Sequence, residues 1–181
     1  MKLYTFGCDP SSDLLMAQWW LRMRTDGDLD KTFLASAHCL SGFMEIWRNT
    51  ELMLEVDDEG IVVAGWVQPF MGSGMFGLWV RSDKRHNLAT VRKVLTMYRH
   101  IFDAGIGSIV GITKQEALLP EHEKLGYKVL GKVPKLWDKN NDGYVVVLSA
   151  EDFYANWGHD ERNTTIPEGL TIEPRYAMGA Q

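Results

Sequence analysis

The sequence has little cysteine: Cys8 and Cys39 are its only thiols in 181 residues, too few for a disulfide-stapled scaffold. Both read as reduced, buried thiols. No window approaches the roughly 18 apolar residues of a membrane span. The first ten residues, which include Lys2, Cys8, Asp9 and Pro10, hold no apolar run of the secretory kind. A chain without a membrane segment is expected, in a cytoplasm or on a particle. Positive charge is short as well, since the net charge is -5. Binding of nucleic acid by the whole surface is disfavoured, although a local basic patch is not. Metal-ligand spacing is missing: His38 and Cys39 are adjacent, and His86 and His100 stand far apart. No nucleophile elbow occurs either. Metal chemistry and acyl-enzyme chemistry both drop out.

What is present is the composition of a globular domain, 45% apolar and 24% charged. A chain of this length buries about two thirds of its unfolded surface. Residues 1–7 alternate as an opening strand, and Asp9-Pro10-Ser11-Ser12 caps a helix over 13–24. Phe33, Ala37, Leu40, Met44 and Trp47 recur at helical spacing and predict a second helix from about Leu29 to Trp47, with Gly42 inside it. Residues 51–56 and 61–67 flank the polar turn Asp57-Asp58-Glu59-Gly60, an antiparallel hairpin whose ladder Pro69 should end. Residues 127–130 and 144–148 form a second strand pair across Lys139 to Gly143. From Glu151 onward Trp157, Gly158, Pro167, Gly169 and Pro174 interrupt every periodicity. Residues 1–150 are therefore read as the domain and 151–181 as an extended C-terminal arm.

The centre of the chain is a strand, turn, helix and strand. Leu78-Trp79-Val80 ends a strand, Arg81 to Asn87 is a basic turn, 88–103 is an amphipathic helix and 108–112 is a second strand. A crossover helix between them makes the two strands parallel. The helix places Val91, Val94, Leu95, Tyr98, Ile101 and Phe102 on one side, and Arg92, Lys93, Thr96, Arg99 and His100 on the other. Asn87 is its N-cap and Ala104-Gly105 its exit. Unpaired amides and the helix dipole make such a start suited to an anion.

Over residues 45–150 this pattern resembles the GNAT superfamily of acyl-CoA N-acyltransferases. The resemblance rests on Arg85-His86-Asn87-Leu88-Ala89-Thr90, set against the family's Arg/Gln-x-x-Gly-x-Gly/Ala, and on Glu123-Lys124-Leu125-Gly126-Tyr127. It implies an α/β (α+β mixed-sheet) GNAT-like fold of about seven strands and about four helices, with a central parallel pair in an otherwise antiparallel sheet. It implies a coenzyme A diphosphate on the turn, next to a pantetheine arm between diverging strands. The cofactor-binding residues would be Val80, Arg81, Arg85, His86, Asn87, Leu88, Ala89, Thr90 and Gln115, with Gln115 at the family's asparagine position and His122 at its acid tyrosine. Leu88 and Thr90 stand where the family has glycines, and side chains there crowd the approach of a diphosphate.

Direct attack of an amine on a thioester needs a base and an acid for the departing thiolate. Residues 75–80, the family's usual base strand, hold no ionisable group. Glu55, Asp57 and Asp58 are the nearby alternatives, with solvated hairpin acids as the plainer reading. Imidazole ionises near neutrality, so His122 could protonate a thiolate. Asp138 to Gly143 imitates the opening of a calcium loop, but its twelfth position is Ser149, and a hairpin turn is preferred. Gly105 to Gly111 precedes a strand instead of following one, so it is no dinucleotide loop.

Two functions follow. In the first, the degenerate turn binds no cofactor and the frame serves assembly, as in GNAT-like proteins of tailed bacteriophages. The chain would then be a virion or head-tail structural protein. It would contact other subunits, or copies of itself as a homo-oligomer, through the arm and through aromatics from seven Trp, seven Phe and six Tyr. In the second, the chain is an active N-acetyltransferase using acetyl-CoA on a small amine or a protein amine.

Overall fold

The computed structural model describes residues 2–5, 10–31, 37, 39–48, 50–70, 73–85 and 87–158, and for 2–5, 10–12, 69 and 70 it describes the backbone alone. In chain order the strands are β1 (Lys2–Thr5), β2 (Glu51–Asp57), β3 (Gly60–Phe70), β4 (Ser73–Val80), β5 (Ser108–Thr113), β6 (Lys128–Asp138) and β7 (Asn141–Ser149). The helices are α1 (Pro10–Thr25), α2 (Leu40–Trp47), α3 (Leu88–Asp103), α4 (Leu119–Lys124) and α5 (Ala150–Trp157), with short 3-10 turns at Leu29–Lys31, Ser82–Lys84 and Glu116–Leu118. The sheet order is β1-β2-β3-β4-β5-β7-β6. The β4–β5 pair is parallel, while β1–β2, β2–β3, β5–β7 and β6–β7 are antiparallel. The chain groups into two compact units, Met1–Trp66 with Leu78–Val94, and Val67–Gly77 with Leu95–Gln181.

Tryptophan builds the core of the first unit. Trp19 stacks on Trp47 at 5.4 Å, Trp47 meets Trp66 edge-on at 4.7 Å, and Trp19 lies 5.9 Å from Trp79. Met16, Met23, Phe43, Leu52 and Leu54 fill the gaps between these rings. In the second unit the centre is Tyr98, edge-on to Phe76 at 5.1 Å, to Tyr127 at 5.8 Å and to Phe153 at 6.2 Å. Ile109, Val146 and Leu148 are fully buried there.

Several expectations are corrected. The helix from about Leu29 to Trp47 starts only at Leu40, because Cys39 is extended (φ -132, ψ 158) and stands as its N-cap. Residues 32–36 lie outside the described residues. Of the spaced apolar positions Ala37 and Trp47 are buried, Leu40 and Met44 are half-buried, and Phe33 lies outside the described residues. Cys39 is a free, exposed thiol, not a buried one; Cys8 lies outside the described residues. Strand β3 continues through Pro69 to Phe70. His100, placed by sequence on the side of the helix opposite the apolar stripe, is buried at 6% exposure. Glu151 begins no extended arm, since α5 runs to Trp157. The Ser149 hydroxyl accepts from the Asp152 N–H at its start, and Phe153 goes into the core. Seven strands and five α-helices among the described residues agree with the expected mixed-sheet fold of about seven strands and about four helices. The rest of the expected arm, 159–181, lies outside the described residues.

Candidate functional site

The basic turn is built from carboxylates. Arg81 is 1% exposed, and its guanidinium forks onto Asp57 at 2.9 and 2.7 Å, with Nε on Asp83 at 2.8 Å and Nη2 also 3.3 Å from Glu59. The Arg81 hydrogen bonds hold the Asp57 carboxyl below the usual range, and Asp57 in turn raises Arg81. Arg85 donates Nε to the Val80 carbonyl at 3.0 Å and Nη2 to the buried Asp28, which also accepts from Trp79 Nε1 at 3.0 Å. Both arginines are thus committed within the protein.

The helix start that follows is also engaged. Asn87 Oδ1 accepts the Ala89 N–H at 2.8 Å, and the Asn87 carbonyl accepts from Thr90 and Val91 at 2.9 and 3.1 Å. Ala89 is exposed, Thr90 is buried at 4%, and Leu88, 64% exposed, points to solvent. Val80 is half-buried, and His86 lies outside the described residues. On the hairpin, Glu55 is half-buried on β2. Burial opposes its charge, but positive groups that include Lys93, with Nζ at 2.7 Å, together keep the carboxyl below its usual range.

The second unit holds the parallel pair. Ser73 and Ser108 share a hydrogen bond at 2.8 Å where the strands begin. Two rungs follow, Gly74 beside Ile109 and Met75 beside Val110, and there the ladder stops. Strand β5 continues to Thr113 bound only to β7. Phe76 and Gly77 on β4, and Gly111 and Ile112 on β5, therefore have no rung between them. Beyond β5, Gln115 is exposed and its N–H donates to Thr113 Oγ1 at 3.1 Å. His122 sits in the last turn of α4, half-buried, with Nδ1 2.8 Å from the Leu118 carbonyl and its ring edge-on to Tyr127 at 5.4 Å. A carbonyl only accepts, so Nδ1 carries hydrogen and Nε2 is the atom left for chemistry.

No protein-family model and no curated protein matches this sequence. Solved structures do match its fold. The chain superposes on an aminoglycoside 6'-N-acetyltransferase complexed with coenzyme A at a TM-score of 0.59 and 16% identity, covering 82% of this chain and 97% of that one. A ribosomal-protein-alanine N-acetyltransferase from Brucella melitensis gives 0.62 at 10% identity, over 82% and 99%. An aminoglycoside 6'-acetyltransferase type Ii gives 0.62 at 19%, over 82% and 97%. The fold is that of the GNAT acetyltransferases.

Within this GNAT frame, sequence reasoning found the turn and the parallel pair but missed two groups. One is Asp28, whose buried carboxylate anchors the turn; only its place between the helical segments hinted at it. The other is the pair of buried phenols. The hydroxyls of Tyr98 and Tyr127 face each other, and burial pushes Tyr98 up to about 12 and Tyr127 well above its ordinary value. By sequence Tyr98 is a core aromatic of the helix and Tyr127 part of the Leu-Gly-Tyr ending. Asp138 accepts the N–H groups of Asn140 and Asn141 at 2.8 and 3.0 Å, the hairpin turn preferred over a calcium loop. Among the described residues no cluster of His, Cys, Asp and Glu could hold a metal. No described helix is long and apolar enough to cross a membrane.

Proposed function

We propose that the chain is a GNAT-type N-acyltransferase that passes the acyl group of a coenzyme A thioester to an amine. The observation that carries this reading is the parallel ladder that stops after Met75 and Val110. Strands that separate leave N–H and C=O groups without rungs, and an extended arm bearing amides can pair with them as an added strand does. The pantetheine arm of an acyl-CoA has that chemistry. The fit is good at the strands and poor at the turn, where Arg81, Arg85 and the Ala89 and Thr90 amides already have partners. The arm, more than the phosphates, would then hold the donor.

In the reaction the amine nitrogen bonds to the thioester carbon, the C–S bond breaks with its electron pair going to sulfur, and the amine loses a proton. His122 Nε2, bare in the neutral ring whose Nδ1 carries hydrogen, is the described group suited to take the proton the amine loses and hand it to the thiolate. Glu55 is anionic but held by Lys93, which weakens it as a base. Mixing the protein with acetyl-CoA and a panel of amines, and following released thiol, tests the reading. Acyl-dependent thiol release carries it; neither release nor a rise in melting temperature at millimolar acetyl-CoA ends it.

A second reading is an assembly protein, of a virion or another particle, that keeps the frame without turnover. One observation favours it: the internally satisfied turn. The solved structures named above are acetyltransferases, and this puts the greater weight on catalysis.

A further inference from the structure

The separated strands and the basic turn suit different parts of a donor. In the second unit Phe76 and Gly77 on β4, and Gly111 and Ile112 on β5, carry no charge, and a glycine on each strand leaves its backbone open to a close neighbour. A neutral arm bearing amides suits such edges. In the first unit the turn suits no phosphate. Arg81, 1% exposed, already meets three carboxylates, those of Asp57, Glu59 and Asp83. Lys84 Nζ lies 3.3 Å from Asp83, Lys93 Nζ lies 2.7 Å from Glu55, and Arg85 is on Asp28. Arg92 is engaged as well. A phosphate oxygen would have to displace a carboxylate from a guanidinium that solvent does not reach, and the carboxylate left behind would repel it. At the start of α3 the Thr90 side chain is buried, the Leu88 side chain has no donor to give, and the Ala89 N–H is held by Asn87 Oδ1.

Resting on the acyl-transfer reading, we propose that the chain selects its donor by what that donor lacks: it takes the acyl group from a pantetheine thioester that carries no coenzyme A nucleotide. Asp57, Glu59 and Asp83 are the selecting residues, because they set carboxylates on the turn where a diphosphate would bring negative charge of its own. The net charge of -5 acts in the same direction over a longer range. A thioester of this class is either free or borne as a phosphodiester-linked arm on a carrier protein. The thioester and the amides of the arm are the same in both. The bonds made and broken are those of the transfer above, with the pantetheine thiol as leaving group in place of coenzyme A.

The test titrates the full chain in a calorimeter with S-acetylpantetheine and with acetyl-CoA at about 50 mM NaCl, where any attraction for phosphates is screened least. S-acetylpantetheine should bind about fivefold more tightly, the size of an exposed charge interaction. Equal or tighter binding of acetyl-CoA overturns the proposal and leaves acyl transfer standing, whereas binding of neither removes both. Glu59→Gln combined with Asp83→Asn, at side chains 69% and 40% exposed, should shift the ratio of the two dissociation constants about tenfold towards acetyl-CoA. A ratio that does not move overturns the proposal. Should the double change not fold, Glu59→Gln alone is read in the same way. A third titration, with an acetylated phosphopantetheine arm on a purified carrier protein, separates the two sources: binding tighter than that of S-acetylpantetheine assigns the carried arm, and weaker binding assigns the free thioester.

Discussion

Arg81 shows how much of the turn is decided by single side chains. A guanidinium forked onto one aspartate and bonded to another cannot also offer its donors to a phosphate. Its effect on stability has a definite sign. Asp57 ionises below its ordinary value of 3.8 in the folded chain, so the pair stabilises above that pH, and the contribution is lost as pH falls through the lower folded value. Asp57→Asn should therefore lower the melting temperature at pH 7 and approach the parent below about pH 4. Urea melts at pH 7, 4 and 3 measure this, and curves that stay parallel into acid refute it. Asp28 is more buried, at 3% exposure. Asp28→Asn leaves Arg85 without its charge partner and should cost about 1–3 kcal/mol in the same melts. Both roles were hidden in the sequence. The spacing of Arg81 and Arg85 announces a basic turn, but which carboxylates come to meet them depends on residues far away along the chain.

At the scale of elements, α3 could be read to the residue, because Asn87, the apolar stripe and Gly105 each specify the same helix. Helix α2 could not, because apolar spacing continues across Cys39, where the backbone is extended. Helix α5 was missed because Trp157 and Gly158 look irregular, while its evidence is one hydroxyl, Ser149, and one buried ring, Phe153. Ser149→Ala should thus cost about 1 kcal/mol as a lost N-cap, with a Tm drop as the readout. The strand divergence was implied by the resemblance, but the packing that pins it shows only in three dimensions. A Cβ on Gly74 would lie 2.8 Å from Val67 Cγ1, and valine is stiff about χ1. Gly74→Ala should destabilise by about 1–3 kcal/mol as an overpacked site. An unchanged Tm would mean that β3 yields there, and that Gly74 does not set where β4 meets β5.

For the whole molecule, the net charge of -5 opposes an anionic donor, while the turn spends its arginines on carboxylates. If the chain takes an acyl-CoA donor as proposed, its binding should then come from the thioester arm meeting strand edges, and two consequences separate this from a phosphate-led grip. A ligand present at a hundred times its Kd stabilises the folded chain by about 2.7 kcal/mol. If the arm leads, that stabilisation should change little between about 50 and 500 mM NaCl, a range over which exposed charge attractions are strongly screened. S-acetylpantetheine, which lacks the nucleotide, should reproduce most of the melting rise at matched saturation. Thermal melts with both ligands at both salts are the measurement. A rise that collapses with salt, and that S-acetylpantetheine does not give, would show the turn binding phosphate through groups other than Arg81 and Arg85, and would return the donor site to the helix start at Asn87.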